Sequence, residues 1–420
     1  MSSIKVIGGG SLKGELTIQG SKNAALPIIA ATVLNKGLTI LKNCPKILDV
    51  FHMIKILKEL GCSAEWDENT LIIDTSKLSS AKVSESSVRK MRSSILFLGS
   101  LLGRCHEVSI AYPGGCSIGK RPIDFHLDSI KRMNVSQEFL GEDKDIIYCR
   151  TEKIVGTDIF LKFPSVGATQ NIILTAVLSE GVTRIFNAAR EPEVLELCNF
   201  LVEAGARICG KGTAFIEIEG VKSLRDVEFT LSPDRIVTGT YMAAVAAAGG
   251  DVILQNTPVN QLDSVIRVLS KVGCDIKTGA NSLRVKCYKR PLPIEVLKTQ
   301  PYPGFPTDMQ SQFVSLLSVA RGTSIIVETI FENRFKHVEE LLRMGADIKL
   351  EGRLALIKGV KMLTGAQVVA RDLRGGAALI IAALAAEGTT VISGTKHIDR
   401  GYEDIEKKLS LVGAVIRREE

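Results

Sequence analysis

The sequence predicts an α/β protein of two domains, each made of three repeats of about 70 residues with small-residue helices buried inside sheets. Two recurring phrases and the chain length predict this. The first phrase is a helix ending in an apolar residue, then glycine, then a small or polar residue, then a short strand. It stands at residues 57–62 (LKELGC), 201–206 (LVEAGA), 269–274 (LSKVGC), 341–346 (LLRMGA) and 409–414 (LSLVGA). A sixth copy, at 130–135 (IKRMNV), has Asn134 for glycine. Asparagine is the expected substitute, because it tolerates the left-handed backbone that closes a helix. The second phrase is an apolar helix rich in small residues, then glycine, then a β-branched strand. Its copies run over 24–41, 93–110, 169–186, 238–254, 310–327 and 376–392. A helix that is apolar on every side is a buried helix. At 420 residues the chain also exceeds one ordinary core.

Six repeats group as three plus three. A turn signal, Ser232-Pro233-Asp234, lies near the middle. The strand around residues 4–10 precedes the first full repeat, and the sixth repeat ends without an evident strand partner. The expected domains are therefore 20–230, and 1–19 plus 231–420. Two linkers, near Gly20 and Leu231, would then form a double hinge and a cleft that closes.

Composition narrows the function classes. Hydrophobic residues make up 45% and charged residues 24%, the balance of a soluble globular protein. The net charge of +7 comes without a Lys/Arg block, which argues against nucleic acid and suits small anionic substrates. Nine cysteines, an odd number with no C-x-x-C pair, suggest neither a disulfide framework nor a thiolate zinc site. Most of them read as small apolar residues within strands and helices. Residues 1–10 do not resemble a signal peptide, and the apolar runs at 241–248 and 377–386 are too short to cross a bilayer. A cytoplasmic protein without membrane partners is expected.

Four polar segments break the repeat. At 20–25, Lys22 and Asn23 come just before a buried helix, whose free N–H groups and positive end favour an anion. At 112–126, three glycines and two prolines mark a surface loop. There Cys116, near Lys120 and Arg121, is expected to have a lowered pKa and raised reactivity. At 305–310, Thr307 is the more typical helix cap, which leaves Asp308 free to act as a base. The fourth group places Arg334, Arg374 and Arg400 on turns, either as solvated ion pairs or as an anion clamp. P-loop, dinucleotide-fold, Ser-His-Asp and zinc signatures are absent.

Together these segments resemble the enolpyruvyl transferase family, and within it the enzymes that use UDP-N-acetylglucosamine as acceptor. The matches are SKNAALP (21–27), MRSS (91–94), PGGCSIGKRPID (113–124), PSVGAT (164–169), NAAREPE (187–193), PDRIVTGT (233–240), FPTDMQ (305–310), FENRF (331–335), DLRGGAAL (372–379) and HIDRGYE (397–403). They stand in family order and cover nearly the whole chain. The resemblance implies a two-domain inverted α/β barrel. It also implies transfer of the enolpyruvyl group of phosphoenolpyruvate to the 3′-hydroxyl of UDP-N-acetylglucosamine, with release of phosphate, as the first committed step of peptidoglycan synthesis. Addition precedes elimination, and neither a metal nor an organic cofactor takes part.

The resemblance also assigns roles. Lys22, Arg121 and Arg400 would surround the phosphate and carboxylate of phosphoenolpyruvate. Asn23 would hold the intermediate and the sugar. Cys116 would protonate the methylene carbon, form a covalent adduct and be alkylated by fosfomycin. Asp308 would take the proton of the sugar hydroxyl. Arg92, Arg121, Pro122, Ile123, Asp124, Phe125, Ser165, Val166, Gly167 and Ile330 would bind the UDP-sugar and Arg334 would bind substrate, while Asp372 and Arg374 would bind or orient phosphoenolpyruvate with Arg400. Ser21 and Gly375 stand where the family often has alanine, and neither change removes a functional group. A sibling enzyme acting on shikimate 3-phosphate would lack the loop cysteine. A non-catalytic UDP-sugar sensor would not need all these polar residues. An RNA-processing enzyme on a related repeat would be more basic.

Overall fold

The computed structural model describes residues 2–114, 123–143 and 145–419. They divide into two compact units, 2–19 with 233–419 and 20–114 with 123–232, each with its own hydrophobic core. One local plan recurs through both: buried helix, strand, amphipathic helix, hairpin. The buried helices of the unit drawn from 20–232 are Lys22–Ala31, Leu96–Cys105 and Val166–Ala176. Those of the other unit are Arg235–Ala248, Gln310–Leu317 and Leu373–Leu384.

Small residues let these helices meet backbone to backbone. A Cβ added at Gly99 would lie 2.6 Å from the carbonyl oxygen of Asn171, and one at Gly103 would lie 2.8 Å from Leu34 Cδ2. Nothing larger than glycine fits at that crossing without a shift. The closing glycines of the amphipathic helices, Gly61, Gly205, Gly273, Gly345 and Gly413, have φ between 85° and 106°. Asn134, with φ of 67°, fills the same place in the sixth copy.

In four repeats the segment before the buried helix pairs in parallel with the strand after it. The pairs are Asp158–Phe160 with Val182–Phe186, Leu297–Lys298 with Thr323–Val327, Gln367–Val369 with Thr389–Ser393, and a single bridge from Lys82 to Ser109. The other two exchange these strands. Leu12–Thr17 leads into the helix Lys22–Ala31 yet pairs with Gly250–Gln255. Val227–Thr230 leads into Arg235–Ala248 yet pairs with Leu38–Lys42. In the last repeat Val415–Glu419 pairs with Ser3–Ile7, which also pairs with Thr389–Ser393, so residues 3–7 occupy the interior of that sheet.

Among the described residues the strands form five four-stranded sheets, one three-stranded and one two-stranded. The barrel implied by the resemblance is thus an arrangement of separate sheets rather than one closed ladder of hydrogen bonds. Among the described residues no helix is long and apolar enough to cross a membrane. Cys44, Cys62, Cys149, Cys198, Cys274 and Cys287 are buried, as an apolar reading of cysteine expects; Cys105 is half-buried and Cys209 is exposed on a strand.

Candidate active site

In the unit of 20–232, Lys22 and Asn23 lie within the first turn of the helix Lys22–Ala31 rather than ahead of it. Ser21 is its cap, accepting from the Ala24 N–H at 3.3 Å, a bond that alanine at this position could not make. Lys22 is buried, and its Nζ lies 3.2 Å from Oδ2 of Asp49, which is fully buried in the first turn of Leu48–Glu59. A fixed carboxylate thus holds the ammonium, whose residue stands in the first turn of a helix, where anions are favoured.

The remaining candidates of this unit sit on two helix starts and a short turn. Arg92, half-buried, opens the 3-10 turn Arg92–Ile95. Ile123 precedes the helix Asp124–Arg132, where Asp124 is exposed and Phe125 half-buried. Ser165 caps the helix Val166–Ala176, accepting from the Ala168 N–H at 3.4 Å. A Cβ at Gly167 would stand 3.1 Å from the His126 ring, so these two helix starts touch through a glycine. Asn171 locks the group. Its amide donates to Ile95 O at 3.1 Å and to His126 Nδ1 at 2.7 Å, and its Oδ1 accepts from the Gly99 N–H at 2.8 Å. The candidates Cys116, Arg121 and Pro122 lie outside the described residues.

In the other unit the structure corrects one reading: Asp308 is not free. Nor does it cap a helix; Pro306 precedes the 3-10 turn Thr307–Met309, and the Thr307 hydroxyl donates to Glu328 at 2.9 Å. Asp308 Oδ1 accepts from Arg334 Nη2 at 2.5 Å, and Oδ2 accepts from Arg374 Nη2 at 2.8 Å. Both arginines are only 3% exposed, so neither is a solvated surface pair. Burial works against the Arg374 charge, but Asp308, Tyr402 and Asp234 outweigh it and push its pKa up. Local backbone supports each partner. Asp372 caps Leu373–Leu384 by accepting from the N–H groups of Arg374 and Gly375 at 3.0 and 2.9 Å. A Cβ at Gly375 would press to 2.8 Å from Asp372 Oδ2, which is why glycine suits this chain. Arg400 is half-buried beyond the turn Thr395–His397. Burial, then the charges of Lys396 and Arg400, holds His397 below the usual histidine range.

Three supporting residues escaped the sequence reading. Glu328, 1% exposed, accepts from the backbone of Ile330 and Phe331 at 2.8 and 3.1 Å, as well as from Thr307. Tyr402 receives Arg374 Nη1 at 3.4 Å and shares a 2.9 Å bond with Thr240. His337 is buried beside this site, against Gly375. Burial drives its pKa down to about 4, with Asp372 pulling up and Arg334 adding to the push. The folded imidazole therefore stays neutral where the unfolded one, near 6.5, takes a proton. Stability is unaffected above that value and falls as pH drops from about 6.5 to about 4, by on the order of 3 kcal/mol. The denaturant midpoint of the parent should fall more steeply than that of His337→Gln as pH drops through this window; parallel curves would refute the assignment.

Comparison with known proteins shows the family. The family model described as EPSP synthase (3-phosphoshikimate 1-carboxyvinyltransferase) matches residues 6–409. The chain belongs to the EPSP synthase family. Among relatives in this family, the UDP-N-acetylglucosamine 1-carboxyvinyltransferase 2 of Caldanaerobacter subterraneus subsp. tengcongensis is 50% identical over 418 residues, covering 100% of both chains. The UDP-N-acetylglucosamine 1-carboxyvinyltransferase 1 of Carboxydothermus hydrogenoformans is 48% identical, over 100% of this chain and 98% of its own. In fold, the enolpyruvyl transferase NikO from Streptomyces tendae superposes with a TM-score of 0.90 at 23% identity, over 99% of this chain and 98% of the other. EPSP synthase from Acinetobacter baumannii superposes at 0.77 and 17%, over 100% of both. The EPSP synthase family fold is thus that of the whole chain.

Proposed function

We propose that the chain transfers the 1-carboxyvinyl group of phosphoenolpyruvate to the 3′-hydroxyl of UDP-N-acetylglucosamine, releasing phosphate, in the cytoplasmic synthesis of peptidoglycan precursors. Relatives named for transfer to this acceptor, 45–50% identical over the full length, support the reading. The observation that carries it is Asp308 between two buried guanidiniums, because the reaction needs an ionised acceptor of a hydroxyl proton beside groups that hold anions. Three repeats in 20–230, and three in 1–19 plus 231–420, serve as the two domains.

Addition comes first. The sugar oxygen bonds to C2 of phosphoenolpyruvate and its proton passes to Asp308. The electron pair of the C2–C3 double bond takes a proton from the Cys116 thiol. Elimination then returns a proton from C3 to the Cys116 thiolate, restores the double bond and breaks the bond from C2 to the phosphate oxygen, which leaves as phosphate. The proton moves late, because the hydroxyl turns strongly acidic only as its bond to C2 forms. Lys22, Arg121 and Arg400 offset the phosphate and carboxylate charge, and Asn23 holds the tetrahedral intermediate. Arg92, Arg121, Pro122, Ile123, Asp124, Phe125, Ser165, Val166, Gly167 and Ile330 hold the UDP-sugar, Arg334 binds substrate, and Asp372 and Arg374 orient the donor.

Phosphate release from phosphoenolpyruvate, assayed with UDP-N-acetylglucosamine or shikimate 3-phosphate, tests this. Release is expected with the first acceptor only, falling at least about a hundred-fold in Cys116→Ala. No release with either acceptor, from folded protein that still binds UDP-N-acetylglucosamine, would leave a sugar-nucleotide sensor instead.

A further inference from the structure

Two of the buried cysteines face each other across a hairpin that plays no part in the transfer. In this antiparallel pair Asp275 stands opposite Lys286 and Ile276 opposite Val285. One step further along the register, Cys274 stands opposite Cys287. Alternation puts both on the inner face. Leu283, Val285 and Cys287 are buried while Arg284 and Lys286 are exposed, and Cys274 and Cys287 belong to one core at 7% and 2% exposure. Opposed residues on antiparallel strands hold their Cβ atoms about 4.5–5.5 Å apart, bordering on the span of a disulfide. Both thiols are free. The Cys287 thiol donates to Ala246 O at 3.8 Å and to Lys289 O at 3.7 Å, and the mutual interaction of the two cysteines pushes Cys274 up and Cys287 down. Asp275–Thr278 is the edge strand of its sheet, so a local opening of the hairpin admits a small reagent.

We propose that Cys274 and Cys287 form a reversible dithiol–disulfide site, oxidised by a low-molecular-weight disulfide such as oxidised glutathione. The Cys287 thiolate attacks one sulfur of the reagent and expels a thiolate, which takes up the proton that Cys287 lost. Cys274, deprotonated in turn, attacks the Cys287 sulfur of the mixed disulfide and expels the second thiol. The two cysteines lose two hydrogens and two electrons, and the reagent gains them as two thiols.

The full chain, incubated with oxidised glutathione, alkylated and digested with trypsin without reduction, gives the test. The expected product is peptide 272–277 joined to peptide 287–289, with a loss of about 2 Da from the summed masses, and reductant should release it. Cys209, exposed and without such a neighbour, should carry only a mixed disulfide. Cys274→Ser should turn the linked product into a glutathione adduct on Cys287. Recovery of 272–277 and 287–289 only as separate alkylated peptides while Cys209 is modified, or linked to another cysteine, overturns the proposal.

Discussion

Asp308→Asn is expected to lower kcat/KM about a thousand-fold, with most of the loss in kcat. The amide keeps the shape of the carboxylate but takes no proton from the sugar hydroxyl. It also replaces one of two charge-assisted acceptors with an N–H group that faces a guanidinium. Arg334 and Arg374, both 3% exposed, are then buried cations without their shared counter-charge. Breaking a buried pair of this kind costs about 3–5 kcal/mol. The variant should therefore also unfold at a lower denaturant midpoint. Steady-state phosphate release together with a denaturation curve measures both effects. Full stability with lost activity would confine Asp308 to chemistry; lost stability with near-normal kcat would confine it to architecture.

Lys22→Met is expected to lower kcat/KM by about a hundred- to a thousand-fold, the range for removing one group that stabilises developing charge. Methionine keeps much of the length and apolar volume but none of the charge. Lys22→Arg should recover only part of the rate, because a planar guanidinium does not reproduce the 3.2 Å contact of the ammonium with Asp49. The measurement is the rate as a function of phosphoenolpyruvate concentration. A loss seen in KM for the acceptor sugar alone would move Lys22 from the donor phosphate to the sugar.

Local features of the fold were legible and distant pairings were not. The left-handed helix ends at Gly61, Gly205, Gly273, Gly345 and Gly413, and at Asn134, are set by the one residue that must adopt that backbone. The buried helices announce themselves through alanine and glycine on every face. By contrast, the exchange of Leu12–Thr17 and Val227–Thr230 between repeats depends on register with strands about 200 residues away, which leaves no local trace. Asp308 was singled out, but its partners lie 26 and 66 residues further on, and a lone Asp on a turn carries no sign of which cation will reach it. Tyr402 stood inside a matched segment and Glu328 did not, yet neither showed which group it would hold. Cys274 and Cys287 were dismissed by spacing, because the step that pairs them is made by a hairpin rather than by a motif.

The interior place of residues 3–7 bears on the order in which the chain is made. Their neighbours on both sides, Thr389–Ser393 and Val415–Glu419, leave the ribosome some 380 residues later. At roughly 5–20 residues per second, that strand waits on the order of 20–80 seconds with both edges open, an interval in which a nascent chain is exposed to wrong partners. Among the described residues, the stretch 20–232 contains every strand of its own sheets and can collapse while the rest is still being translated. Vectorial synthesis thus separates the two units in time. The one holding Asp308, Arg334 and Arg374 reaches its final pairing last, when its latest segment returns to one of its earliest.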